Sequence, residues 1–134
     1  MSDNYDRLYR FFSDLGFTIY RKERLESFNN YVIEGCSPSF CIKGLSDRLI
    51  EAIELRSSNE PDNWYDINLV IASIGREDKL DEWLDLEIQM KFVEAHVDEL
   101  AILFDEENYP ATKMRFKELG MQRAKNAFPR WFNN

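Results

Sequence analysis

"DRLIEAIELRSSNEPDNWYDINLV", residues 47–70, changes its period halfway, and that change decides the fold. In residues 48–57 apolar and polar side chains alternate. Leu49, Ile53 and Leu55 point one way, with Glu51 the odd member, and Ile50, Ala52, Glu54 and Arg56 point the other. Alternation bounded by turn formers is the pattern of a half-buried strand. A polar knot, "SSNEPDN", follows. Beyond it Ile67, Val70, Ile71 and Ile74 fall on one helical face, with Asp62 placed to cap the helix and Gly75 just past its end. The stretch is therefore where a sheet ends and a helical layer begins.

Working outward from it, three more runs of β-branched and aromatic residues precede the fourth: "FTIYRKE" (17–23), "NYVIEG" (30–35) and "SFCIKG" (39–44). Their short breaks, at Asn29-Asn30, at Gly35 to Ser39 and at Gly44 to Asp47, suit antiparallel hairpins. Ahead of them Tyr5, Leu8, Phe12 and Leu15 recur at helical spacing, and Gly16 is a C-cap candidate. The other glycines read as turn or cap residues too. Gly120 is the exception: it interrupts the last helix and calls for a close packing contact or a bend.

The longest helix is expected over about 80–104. Trp83, Leu86, Met90, Val93, Val97, Leu100 and Phe104 form one apolar arc, and Leu84, Ile88, Phe92, Ala95 and Ile102 a second. A helix apolar on two sides should be enclosed on two sides, which makes this the central helix. Its polar stripe is Glu87, Glu94, Asp98 and Asp105, with Lys91 among them. A last helix should start at Pro110 and end near Phe128-Pro129, with Met114, Met121 and Phe128 repeating every seven residues and the tail "RWFNN" packing back. The expected fold is α+β, one domain over 1–134. It has an N-terminal helix, a four-stranded, mainly antiparallel sheet (about 17–57) and a C-terminal helical layer (about 62–128) on one face.

The charge of −8 is unevenly spread. Residues 59–107 carry fifteen acids and three bases, whereas residues 108–134 carry one acid and six bases. Such an acidic field repels nucleic acid and attracts basic proteins, although the basic last helix can neutralise part of it internally. The C-terminal "KMRFKELGMQRAKNAFPRWF" mixes bases with aromatics, but the overall charge argues against nucleic-acid binding. No apolar run is long enough for a membrane span, and the acidic N-terminus lacks the features of a signal peptide, so the expected location is cytoplasmic.

Parts for catalysis are few. His96 is the only histidine, placed beside Gln89 and Asp85 as a partly buried structural residue. No serine or cysteine sits in a nucleophile frame, and no glycine-rich loop is built for phosphate. Cys36 and Cys41 cannot make a structural zinc site with one histidine and are expected to be free thiols in a reducing cytoplasm. The acid pairs Asp62/Asp66, Asp81/Asp85 and Glu94/Asp98 have a spacing that hard cations use, but solvated acids at helix surfaces explain them as well. No cofactor, metal or small-molecule substrate is expected.

At "ESFNNYVIEG", "SDRLIEAIELRS", "NWYDINLV" and "NYPATKMRFKELGMQRAKNAFP" the chain resembles short bacterial immunity-type proteins of toxin-immunity loci, including those of contact-dependent inhibition and polymorphic toxins. The likeness runs over roughly residues 8–129. It implies a non-catalytic cytoplasmic protein that binds and neutralises a toxin, and it transfers no functional residue. An acidic surface would suit a basic, nuclease-like toxin. The residues expected to meet it are Glu87, Glu94, Asp98, Asp105, Glu106 and Glu107, with Glu60, Asp62 and Asp66 as a second patch. Competing readings are an adaptor or structural module of a bacterial complex, and an enzyme holding a metal on its acids.

Overall fold

The computed structural model describes residues 4–25 and 29–132. Helix α1 (Asn4–Asp14) leads into strands β1 (Thr18–Arg24), β2 (Tyr31–Cys36), β3 (Phe40–Asp47) and β4 (Ile50–Ser57). A short strand β5 (Tyr65–Asp66) runs directly into α2 (Ile67–Ser73). A 3-10 turn (Glu77–Lys79), α3 (Leu86–Leu103), α4 (Tyr109–Ala127) and the short α5 (Pro129–Phe132) complete the chain. The sheet is an antiparallel meander in the order β1-β2-β3-β4-β5. The fold is α+β as expected, but with five strands instead of four. Leu55 pairs with Tyr65 and Glu54 with Asp66, so the last strand is added after the polar knot. Two residues are too few for alternation to register in a sequence.

The alternation read in residues 48–57 has the expected faces from Ile50 onward, but Leu49 is a turn residue, 70% exposed, and does not join the buried face. Ile53 and Leu55 are fully buried among Ile33, Ile42, Leu8, Phe12, Leu100 and Phe104. Glu51 lies on the same face and accepts hydrogen bonds from Tyr31 Oη (2.5 Å) and Asn4 Nδ2 (2.8 Å). The odd member of the strand is thus satisfied by α1 and β2. Gly16 and Gly75 take positive φ, 97° and 101°, just beyond α1 and α2, which is the C-cap geometry anticipated for both.

Several boundaries move. The turn expected at Gly44 to Asp47 is at Arg48-Leu49, because β3 continues through Asp47. Both turn residues take positive φ, and Asn30 Oδ1 braces the turn by accepting from Arg48 N at 2.8 Å. Gly44 is therefore a strand glycine, and a Cβ there would sit 2.9 Å from Leu8 Cδ1 and 3.1 Å from Phe12 Cζ. It is the gap into which α1 settles. Gly120, in contrast, has nothing near it, so close packing does not explain it. Helix α2 is preceded by Asp66, not Asp62, because β5 occupies the residues before it.

Helix α3 begins at Leu86, where Asp85 caps it by accepting from Ile88 N at 2.9 Å. Residues 80–85 precede it, and Trp83 is 75% exposed. The helix is not enclosed on two sides. Leu86, Met90, Val93 and Leu100 are buried, but Val97 is only half-buried, and Ile88, Ala95 and Ile102 of the second arc face solvent. The helix kinks at His96 (φ −120°, ψ 18°), so one straight helical projection does not describe its two halves. In α4 the seven-residue repeat is likewise exposed. Met114, Met121 and Phe128 lie outside the core, and Trp131 stacks on Phe128 instead of packing back into the core. The side chain of Phe132, residues 133–134, and Glu26 to Phe28 of the "ESFNN" motif lie outside the described residues.

The thiols are not free. Cys36 and Cys41 are direct partners across the β2–β3 hairpin, with Cα atoms 4.0 Å apart, and they form a disulfide. The hairpin register places the two cysteines side by side, a proximity that their separation in sequence did not reveal.

Candidate functional site

Much of the acid that dominates residues 59–107 is neutralised within the fold, and α4 supplies the bases. Lys113 Nζ reaches Glu60 at 2.9 and 3.0 Å. Arg123 grips Asp66 with two bonds of 2.8 Å. Arg115 pairs with Glu77, and Asn126 Nδ2 donates to Asp81 Oδ2 at 2.8 Å. These contacts tie the last helix to the segment that leaves the sheet. Glu60, Asp66 and Glu77 are therefore each paired with a base of α4. Asp62 of the expected second patch is exposed and makes no ion pair among the described residues.

The Glu60 pair sits beside a polar group inside the fold. Tyr65 and Tyr109 share a hydrogen bond of 2.8 Å between hydroxyls, and Asn63 Nδ2 donates to Tyr65 at 2.9 Å. Burial and the Tyr65 hydrogen bond raise the Tyr109 phenol well above its ordinary value. The Lys113 hydrogen bond holds the Glu60 carboxyl below its usual range, and the same bond raises Lys113. A depressed carboxyl contributes stability above its unfolded value, about 4.3, and the contribution is lost as pH falls through the lower folded value. The raised ammonium contributes below its unfolded value and loses that contribution as pH rises through the folded one. Lys113→Met should therefore unfold at lower urea than the parent at pH 6. The two midpoints should converge as acid is added below about pH 4. A gap unchanged at the acid end would show that the pair is not its source.

The expected partner-binding residues on α3 behave differently from one another. Glu87 is bound by Arg7 of α1. Glu94 and Asp98 are exposed, and no base approaches them among the described residues. At the kinked turn His96 faces Glu99, with Nδ1 2.7 Å from Oε1, and its ring lies tilted against Phe92, centroids 4.6 Å apart. His96 is half-buried, as expected, but its partners are Glu99 and Phe92 and not Gln89 or Asp85. Asp105 accepts from Asn108 N at 2.6 Å, so it orders the turn into α4. The acids at 105–107 therefore stand next to the N-terminus of α4 as well as the end of α3, which offsets the dipole cost expected from α3 alone. Glu106 and Glu107 remain exposed and unpaired among the described residues.

Residues 92–112 contain six acids and no lysine or arginine. Glu94, Asp98 and Ile102 follow at four-residue steps on the exposed side of α3, and Ile102 is 58% exposed. The surface that results is an acidic strip with an apolar residue set into it. Sequence reading missed Glu99 and Ile102 as members. The four-residue step from Asp98 carries the signal for Ile102, although the apolar spacing from Leu84 places it on a buried arc.

Two other features adjoin or lie beyond this strip. A cleft of about 380 Å³ between α2 and α3 is lined by Ile71, Ile74, Leu84, Ile88 and Phe92 together with Arg76, Lys79, His96 and Glu99, so it meets the strip at Glu99. On the sheet face away from the helices, Arg56 is buried beside Tyr20, Trp64 and the disulfide. Among the described residues no group of three His, Cys, Asp or Glu side chains could hold a metal ion, and no helix is long and apolar enough to cross a membrane. Comparison with protein families, with curated proteins and with solved structures finds no match to this chain.

Proposed function

We propose that this is a non-catalytic immunity protein which binds and neutralises a basic, nuclease-like bacterial toxin in the cytoplasm of the cell that makes it. The observation that carries the reading is the division of the acids. The bases of α4 are used on Glu60, Asp66 and Glu77, while Glu94, Asp98, Glu106 and Glu107 are left in water without a counter-charge among the described residues. Like charges held together on a folded surface repel one another, and a basic partner relieves that repulsion. The exposed Ile102 supplies an apolar contact within the strip. The expected interface is accordingly narrower than the sequence indicated, with Glu60, Asp66 and Glu87 outside it.

The test is the fourfold charge reversal Glu94→Lys, Asp98→Lys, Glu106→Lys and Glu107→Lys, mixed with the toxin encoded beside the gene. Association should slow by about tenfold or more at low salt, and its dependence on salt should weaken. Unchanged rates in a folded variant would move the interface elsewhere. A second reading, an adaptor of a bacterial complex, is favoured by one specific feature: the exposed apolar row Met114, Met121, Phe128 and Trp131 along α4 and α5. Loss of partner binding on substitution of that row, with the acidic strip dispensable, would decide for it.

A further inference from the structure

The outer face of the sheet holds a charge arrangement that the immunity reading does not use. Across β1, β2, β3 and β4 one row reads Arg21, Glu34, Lys43, Glu54, each the direct partner of the next. Arg21 bonds Glu34 at 2.8 Å and Lys43 lies 3.4 Å from Glu54, so these charges satisfy one another. The adjacent row reads Thr18, Cys36, Cys41, Arg56. Arg56 is only 7% exposed, and among the described residues no carboxylate bonds to it. Its Nη1 donates to Ser57 O at 2.9 Å, Nη2 lies 3.3 Å from Tyr20 Oη and 3.7 Å from Cys36 Sγ, and the guanidinium stacks over Trp64. Its Nε has no partner among the described residues. A buried cation without an anion is costly, and the atom beside it that can become an anion is Cys36 Sγ.

The geometry points to Cys36 and Cys41 as a thiol–disulfide exchange site whose nucleophile is Cys36, its thiolate held by Arg56, and whose co-reactant is a small dithiol or its disulfide. Cys36 is partly exposed, whereas Cys41 is 1% exposed, so an external sulfur meets Cys36 first. In the reducing direction a thiolate of the dithiol attacks Cys36 Sγ. The bond between the two cysteines breaks, and Cys41 leaves with the electron pair and takes up a proton. The second thiol of the reagent, on losing its proton, then attacks the reagent's own sulfur in the mixed disulfide. Cys36 is released as a thiolate against Arg56, and the reagent departs as a cyclic disulfide. Two electrons have passed to the protein. In the reverse direction Cys36 attacks and Cys41 resolves.

The hairpin can lose the bond without opening. Ser37 N donates to Phe40 O at 2.9 Å, Ser37 Oγ accepts from Phe40 N, and Phe40 is anchored in the core. The groups facing Cys36 are few. From β1 comes Tyr20, from β2 Glu34, which Arg21 occupies, from β3 Cys41 and Lys43, and from β4 Arg56 and Glu54, which Lys43 occupies. Arg56 Nη2 lies 3.7 Å from the sulfur and, unlike Arg21 and Lys43, is not paired with a carboxylate among the described residues.

The test uses the full chain. Dithiothreitol should reduce the bond with the far-ultraviolet circular dichroism unchanged. Iodoacetamide should then label Cys36 before Cys41. The pH midpoint of that labelling should fall about a unit or more below the ordinary thiol value of about 8.5. Arg56→Met should raise the midpoint and slow labelling at neutral pH by about tenfold, and Arg56→Lys should restore part of the loss. The parent alone decides the matter if a variant does not fold. Reduction only after unfolding, faster labelling of Cys41, or a midpoint at or above the ordinary value would each overturn the assignment.

Discussion

Val93→Asp should destabilise the protein by about 3–5 kcal/mol, enough to unfold a marginal domain at ambient temperature. Val93 is fully buried in the first half of α3, the helix that lies over β4. A carboxylate there would lose its hydration, since the core cluster that Val93 belongs to is made of aliphatic, Met, Phe and Tyr side chains and holds no cation. Val97, one turn further on, is half-buried and beyond the kink, and a charged side chain at that position can reach water. Val97→Asp is therefore the control, with a clearly smaller cost. Chemical denaturation of both variants measures the difference. Equal midpoints would mean that the kink does not divide the helix into a buried and a half-exposed part.

Gln89→Leu should cost about 2–4 kcal/mol, although leucine is the more apolar residue. Gln89 is 4% exposed. Its Oε1 accepts from Ile53 N at 2.7 Å, and its Nε2 donates to Leu84 O at 2.9 Å and Glu51 O at 3.3 Å. Strand β4 has a partner on its β5 side only at Glu54 and Leu55, so its amide at Ile53 would otherwise be buried and unpaired. The amide side chain takes the part of a missing strand. Leucine fills the space but leaves the donor and acceptors without partners. The measurement is the urea midpoint together with amide exchange at Ile53, which should quicken in the variant. A Gln89→Leu protein as stable as its parent, with Ile53 still protected, would show that another group satisfies this edge.

Gln89 also shows where a sequence stops being legible. The alternation of Ile53 and Leu55 and the positive-φ glycines at 16 and 75 were readable because they rest on neighbours in the chain. The hydrogen bond from Ile53 to Gln89 links residues 36 apart, and nothing in either local pattern announces it. The same holds for Glu60 with Lys113 and Asp66 with Arg123, which link residues more than fifty apart. Charge counting showed that the last helix could neutralise the acids, but not which acids it would take. The start of α3 was misplaced for a different reason. Trp83 continues an apolar spacing that the chain does not use, because Asp85 caps the helix first. On the outer sheet face, Cys36 and Cys41 became partners only once the β2–β3 register was known.

The meander has a bearing on how the chain acquires its structure. Each strand pairs with the next one in sequence, and the connections between strands run from two to seven residues. Closing such short loops costs little entropy, so the hairpins can form one after another as the polypeptide leaves the ribosome. The layer that covers them arrives late, because α3 and α4 lie after residue 85. During synthesis the nascent sheet therefore shows Ile33, Ile42, Ile53 and Leu55 to the surroundings, with only α1, and then the short α2, available for shelter. Strand β1, at one border, carries Arg21, Lys22, Glu23 and Arg24 exposed in succession and a register shift between Ile19 and Arg21. Those charges hinder a second nascent chain from adding its own strand at that border, which guards the interval before the helices close.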